Sequence, residues 1–365
     1  MVRAGSDARF RMSATLLVQA IFCALALLAA TSCGKKSGTP DWDTPQISEV
    51  ASPAALPAPE EATPEAAADE APAEPAVTTP PAVAPPPAEP TTAGLRFITY
   101  NVENWLTMDR FVEGKTLKGA PKPDKEKNAV IGILTRNAPD VIGFCEIGTA
   151  ADLAEIQEML KAAGLDLPNS HYTGGSDLVR HLGLLSKFPI KSTAKPAETE
   201  YQLNGQTFGI NRGILDASID ARGKSYRFVG VHLKSKRDSE QGDQEAIRLN
   251  EARLLRRHVD SIFTTDPEAR LIVYGDFNET RSMAPIKTIT GKYNDPTYLT
   301  AVPVKDSHQE TWTHFWAIND VYSRFDFVMI SKAMKKETDF KASRIIDDAE
   351  WIDASDHRPV MALFK

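Results

Sequence analysis

Beyond position 94 the chain alternates between two periods of apolar residues. Leu95 to Tyr100 alternates and then runs into Asn101, which predicts an opening strand with a polar end. From Asp124 to Asn137 the period lengthens: Val130, Ile133 and Leu134 share one face and Pro139 stands just beyond, which predicts a helix. The apolar run Val141 to Phe144 predicts a short strand that delivers Glu146. Leu153, Ile156, Met159 and Leu160 predict a second amphipathic helix that stops at Gly164. Further strands are predicted at 182–186, 213–219, 226–232, 271–275, 325–330 and 360–364. A long helix between the middle ones carries Ile247, Leu254, Leu255, Val259 and Ile262. Many strands with a few interspersed helices predict an α/β (α+β) domain of two packed sheets flanked by helices. The sequence shows no internal repeat.

Composition divides the chain. Of its 25 prolines, 14 fall within 34–94, among Ala, Glu and Thr and almost no aromatic residues. Such a stretch cannot bury enough apolar surface to offset its conformational entropy, so 34–94 is expected to be a disordered linker and 95–365 a single large domain. The net charge of -7 belongs mostly to the linker. Ten acids and two lysines in 34–94, against three arginines and one aspartate in 1–33, leave the domain about one charge below neutral. A neutral domain argues against non-specific wrapping of nucleic acid, although a local basic groove stays open. Cys145 is the only thiol of the domain and lies in the apolar run VIGFCEI, where a buried small hydrophobe is expected rather than a nucleophile.

The first 33 residues read as an address. Arg3, Arg9 and Arg11 precede an apolar stretch from Ala14 to Ala30, followed by Thr31 and Ser32, the order of a secretory signal peptide. Cys33 then makes the segment resemble a bacterial lipoprotein signal, in which that cysteine is lipidated. Ala30 departs from the leucine usual three places earlier. The resemblance implies a lipid anchor at Cys33 as the only membrane contact and a place in the cell envelope. Without lipidation the expectation is a secreted protein.

Several predicted strands end alike, in a carboxylate, amide or imidazole. Asn101 follows FITY, Glu146 follows VIGFC, His232 follows RFVGV, and Asp276 with Asn278 follows LIVYG. Each alone is readable as a solvated strand end or an Asx turn. Together they suggest convergence at one rim of a rigid scaffold. Glu146, Asp276, Asn278, Asn101 and Asp356 offer hard oxygen ligands without a cysteine or histidine cage, which suits Mg2+ or Mn2+, with Ca2+ a further candidate, rather than zinc. Asp326 stands between Phe325 and Phe327 on an apolar strand, where a carboxylate needs a polar partner. A histidine, whose tautomer it would fix, is the natural one.

The ordered set FITYNVENW, DVIGFCEIG, LGLLSKFPI, FVGVHLKSK, LIVYGDFNET, RFDFVMIS and SDHRPV resembles the endonuclease/exonuclease/phosphatase superfamily. That group includes deoxyribonucleases, abasic-site endonucleases, bacterial sphingomyelinases and inositol polyphosphate 5-phosphatases, and the likeness covers 95–365. It implies a four-layer sandwich of two mixed sheets between helices and metal-dependent hydrolysis of phosphate esters. It further implies that Glu146 is the principal metal ligand, with Asn101 and Asp356 in the metal neighbourhood. Asp276 would orient or deprotonate the attacking water, and Asn278 and Asn101 would bind phosphate. His357 would contact the scissile phosphate with Asp326 orienting it, and His232 would assist in protonated form.

Substrate is less legible. Lys234, Lys236, Arg237, Arg248, Arg253, Arg256 and Arg257 read either as a grip on nucleic-acid phosphates or as a solvated helix face paired with Glu240, Glu245 and Glu251. Arg212 and Arg281 are further candidates for phosphate contact. Trp312, Phe315 and Trp316 read as core or site wall, or as an aromatic hairpin of the sphingomyelinase kind. The leading expectation is a monomeric phosphodiesterase of nuclease type, acting on DNA or RNA outside the cytoplasm. The alternatives are a phosphomonoesterase or phospholipase on the same fold, and a surface binding module without turnover.

Overall fold

The computed structural model describes residues 94–112, 114–237 and 242–365. The expected signal, Cys33, the linker to residue 93 and Glu240 lie outside the described residues. In chain order come β1 (Leu95–Trp105), β2 (Met108–Val112), β3 (Lys115–Ala120), α1 (Asp124–Asn137), β4 (Val141–Ile147) and α2 (Ala150–Ala162). Then follow β5 (Asn169–Thr173), β6 (His181–Ser186), β7 (Ile190–Thr193), β8 (Glu200–Leu203), β9 (Gln206–Gly209), β10 (Ile214–Ala221) and β11 (Lys224–His232). The last part holds α3 (Gln244–Thr265), β12 (Leu271–Asp276), α4 (Ala284–Thr290), β13 (Thr300–Ala301), β14 (His314–Trp316) and β15 (Val321–Ser323). It closes with β16 (Asp326–Ile330), β17 (Arg344–Ile345), α5 (Trp351–Ala354) and β18 (Val360–Phe364).

Local chemistry sets the helix ends. In α1, Asp124 and Glu126 sit in the first turn and Arg136 in the last, each favourable to the helix dipole, and left-handed Ala138 closes the end by donating to the Leu134 carbonyl. Thr149 and Asp152 form a reciprocal capping box at the start of α2. Strand β1 runs five residues past its predicted end, and β4 contains Glu146 rather than stopping before it.

Two six-stranded sheets form, in the orders β17-β18-β1-β4-β6-β5 and β13-β16-β12-β11-β10-β7. Each is antiparallel except for one central parallel pair, β1 with β4 and β11 with β12. One core fills the space between the sheets, where Phe97 packs against Phe228 and edge-on against Tyr274. A second core lies under α3 and α4, and a third under α1 and α2, which makes a four-layer sandwich as expected. The inter-sheet core depends on two glycines, because a Cβ at Gly143 would sit 2.0 Å from the Tyr274 ring and one at Gly230 2.6 Å from its hydroxyl. Among the described residues no helix is long and apolar enough to cross a membrane.

Candidate functional site

The parallel pairs matter because their carboxyl ends open at the same rim. Asn101 and Glu146 come from the β1/β4 pair, and His232 stands directly opposite Asp276 in the β11/β12 pair. Asp276 in turn faces Asp326 across the antiparallel β12/β16 pair. Crevices outside the carboxyl ends of strands are where open sheets commonly bind ligands.

Asn101 joins the two sheets. Its amide nitrogen lies 3.2 Å from Glu146 Oε1, 3.1 Å from Asp276 Oδ2 and 3.4 Å from His357 Nε2, while its amide oxygen accepts the Glu103 N–H. The group it offers the site is therefore a donor. Asp276 is 1% exposed and accepts from the Asn278 backbone and side chain at 2.8 and 3.1 Å. The other bond of the Asn278 amide goes to the Leu233 carbonyl, so this amide is spent on bracing Asp276. Burial, helped by the charge of Asp326 and countered by His357, raises the Asp276 carboxyl to about 6.

Asp326 finds the partner that its sequence context demanded. Its Oδ2 lies 2.8 Å from His357 Nδ1. Burial alone would depress His357, but the carboxylates of Asp326 and Asp276 outweigh it and hold the imidazole well above its ordinary value. Ser355 fixes the loop by donating to the Asn101 carbonyl and accepting the His357 N–H.

His232 differs from its expected state. Its Nε2 lies 3.4 Å from Asp276 Oδ2 and 3.9 Å from Glu146 Oε1, yet burial and then the charges of Arg212, His357, Arg180 and Lys234 push it well below the ordinary histidine range. The two histidines are thus split, His357 cationic and His232 neutral. This differs from the expectation of two protonated imidazoles, first because burial disfavours the charged ring of His232 and then because of the cations around it.

Glu103, which the sequence reading passed over, belongs to the same rim. Its Oε2 accepts the Asp356 N–H at 3.0 Å, and burial followed by the charge of Asp356 raises its carboxyl to about 7, with Glu146 adding to the rise. Glu103 and Asp356 therefore bring hard oxygen donors to the same rim as Glu146, a donor set suited to a hard divalent ion. Left-handed backbone marks Glu103, Asn104, Glu146 and Asn278 at φ of 47°, 57°, 68° and 48°. For residues with a Cβ this is strained, and its concentration here shows the rim imposing local geometry. His314, also unforeseen, lies 3.7 Å from Asp356 and packs its ring 4.6 Å from that of His357.

Along α3 the basic residues divide, with Arg253 and Arg257 on a solvated face and Arg248 buried. Arg248 is buried against Glu279, Arg256 bonds Asp260 and Thr297, Arg257 pairs with Glu198, and Arg253 bonds Asn250. Glu251 is wholly buried and accepts backbone N–H groups of Asn211 and Lys234 instead of pairing along the helix. Buried Arg212 and Lys234 do lie beside His232, whereas Arg281 is exposed.

The sequence matches the profile of the Endonuclease/Exonuclease/phosphatase family over residues 112–356. The chain belongs to that family. A search of curated proteins finds no match. Among solved structures, a beta toxin from Staphylococcus aureus is similar at 16% identity and a TM-score of 0.52, over 74% of this chain and 100% of that chain. A family protein from Leptotrichia buccalis is similar at 16% identity and a TM-score of 0.51, over 74% of this chain and 99% of that chain. A mutant of the staphylococcal beta toxin, described with bound magnesium ions, aligns at 16% identity and a TM-score of 0.50, over 74% and 100% of the two chains. At these identities the likeness is one of fold, and it agrees with the two mixed sheets and flanking helices seen here. Family members are metal-dependent phosphoesterases, and this chain brings candidate metal-binding residues together at His314, Asp356 and His357 and at Asp276, Asp326 and His357.

Proposed function

We propose that this protein is a divalent-metal-dependent phosphodiesterase of nuclease type that acts outside the cytoplasm. The observation that carries the reading is the meeting of Glu146, Asp276 and His357 on one amide, that of Asn101. Glu146 and Asp356, with Glu103, would hold Mg2+ or Mn2+, and the ion bound to the staphylococcal neighbour agrees with that choice. When bound, the metal neutralises charge on the phosphate and on the leaving oxygen.

The chain's own groups divide the remaining work. Asp276, raised to about 6 and braced by Asn278, is a base suited to taking a proton from water near neutral pH. His357, kept protonated by Asp326, donates to a phosphoryl oxygen as its charge grows. Neutral His232 turns its Nε2 toward Asp276 and Glu146, where it can serve as donor or acceptor beside substrate, while its Nδ1 is buried without a hydrogen-bond partner among the described residues.

The test uses the full chain with plasmid DNA, RNA, bis-p-nitrophenyl phosphate, p-nitrophenyl phosphate and sphingomyelin, in Mg2+, Mn2+ or EDTA. Diester cleavage that EDTA leaves intact contradicts the metal requirement, and turnover of monoesters alone contradicts the diester reading. One observation favours a second reading, hydrolysis of a phospholipid. The β14/β15 hairpin exposes Trp316, Ile318, Val321 and Tyr322, while Trp312 and Phe315 pack inward against Trp351. Sphingomyelin as the preferred substrate would establish it. Export rests on the leader sequence.

A further inference from the structure

The turn that follows Asn101 serves two carboxylates at once. Glu103 and Asn104 are both left-handed, at φ of 47° and 57°. With that backbone the Glu103 carboxylate accepts the Asp356 N–H at 3.0 Å, and the Asn104 N–H donates to Glu146 Oε2 at 2.9 Å. Two successive left-handed residues that carry a Cβ are costly, so the turn needs a hold from outside itself.

Two cations from the chain just after it supply that hold. Lys122 Nζ donates to the Glu103 carbonyl at 3.1 Å and pairs with Glu126 Oε2 at 2.9 Å. Arg110, on β2, donates from Nη2 to the carbonyls of Asn104 at 2.7 Å and Leu106 at 3.0 Å. The main-chain oxygens of the turn are thus drawn onto cations, while the Glu103 carboxylate and the Asn104 N–H are left for the rim. Lys122 stands between Pro121 and Pro123, whose rings restrict the backbone at and before them, so its ammonium comes from a stiff mount at the start of α1.

The ion pair alone does not account for this lysine. Its side chain is wholly buried, whereas that of Glu126 is 37% exposed and could pair with a lysine at the surface without the cost of desolvating it. What burial adds is reach to the Glu103 carbonyl. We propose that Lys122 is a positioning residue of the metal site, which together with Arg110 fixes the turn that aims Glu103 at the metal and the Asn104 N–H at Glu146. This inference rests on the reading of Glu103, Glu146 and Asp356 as metal ligands.

Charge and position act in opposite directions here, which gives the test its sign. An ammonium near a divalent ion repels it, so losing the charge alone tightens metal binding, while losing the turn weakens it. Calorimetry with Mn2+ on the full chain is expected to show Lys122→Met weakening affinity about tenfold or more. In a Glu103→Gln background the same substitution is expected to add little, because it acts through that carboxylate. Arg110→Met, which removes the other half of the hold, is expected to behave alike and serves should Lys122→Met fail to fold.

A folded variant that binds Mn2+ as tightly as wild type, or more tightly, overturns the positioning role. So does a loss as large in the Glu103→Gln background as in wild type, which marks a general disturbance of the fold. Either result beside a wild type that binds Mn2+ leaves the metal reading standing. A wild type that binds no Mn2+ sinks that reading and this inference with it.

Discussion

His357 Nδ1 lies 2.8 Å from Asp326 Oδ2, and the same imidazole presents Nε2 to the Asn101 amide at 3.4 Å. A carboxylate on one ring nitrogen fixes the face that the other turns to the site, and it favours the imidazolium. Asp326→Asn keeps the shape and removes the charge. It is expected to lower kcat on bis-p-nitrophenyl phosphate by about 100-fold or more while the circular dichroism spectrum stays that of wild type.

Glu146, Glu103 and Asp356 are expected to bind the metal as a group. EDTA should abolish diester cleavage, and added Mn2+ or Mg2+ should restore it. Calorimetry with Mn2+ should show Glu146→Gln weakening affinity by about 10-fold to 100-fold. Unaltered Mn2+ affinity in that variant would move the metal elsewhere.

Arg248 and Glu279 form a pair with both side chains almost wholly buried, joined at 3.0 Å. Removing Arg248 leaves Glu279 paired with Lys236, at 2.7 Å, and takes a donor from the buried Lys234 carbonyl. Arg248→Met should cost about 2–3 kcal/mol in urea unfolding. A change near zero would show that this arginine belongs to a solvated face after all.

Asp216 accepts from Arg227 at 2.6 and 2.8 Å and lies 2.7 Å from His258 Nε2. Burial pushes its carboxyl up, but those hydrogen bonds and charges outweigh burial and leave it below its ordinary value. A depressed folded pKa stabilises the fold at every pH above the unfolded value of about 3.9, and the contribution is lost as pH falls through the folded one. The stability gap between wild type and Asp216→Asn should therefore be constant near neutrality and shrink below about pH 4. A gap that widens on acidification would reverse the sign.

Lipidation at Cys33 has its own readout. Radiolabelled palmitate fed to expressing bacterial cells should enter wild type and not Cys33→Ala. Label in neither protein would leave the secreted form.

Much of the fold was legible because burial writes a period into the chain. Helix α1 and strand β18 appear at their predicted bounds, and Cys145 is buried as its apolar run implied. The hairpins were missed because their strands are three to six residues long and half-exposed, too short for alternation to stand out. The β8/β9 hairpin did carry a signal, Asn204-Gly205 at φ of 51° and 78°, the turn that such a pair favours. Glu103 carried none, since one glutamate after Asn101 looks like any solvated acid.

Residue types, their order and the strand ends that bear them were determined by the sequence alone: Asn101, Glu146, His232, Asp276, Asp326 and His357 are named by local pattern and motif. Tertiary structure decided their states. It made Asp276 a raised carboxyl, split the histidines into one cation and one neutral ring, turned Asn278 into a brace and drew Glu103 into the cluster. The reason is that charge and hydrogen bonding depend on distance and burial through space, and Asn101 meets Asp276 and His357 across 175 and 256 positions of chain.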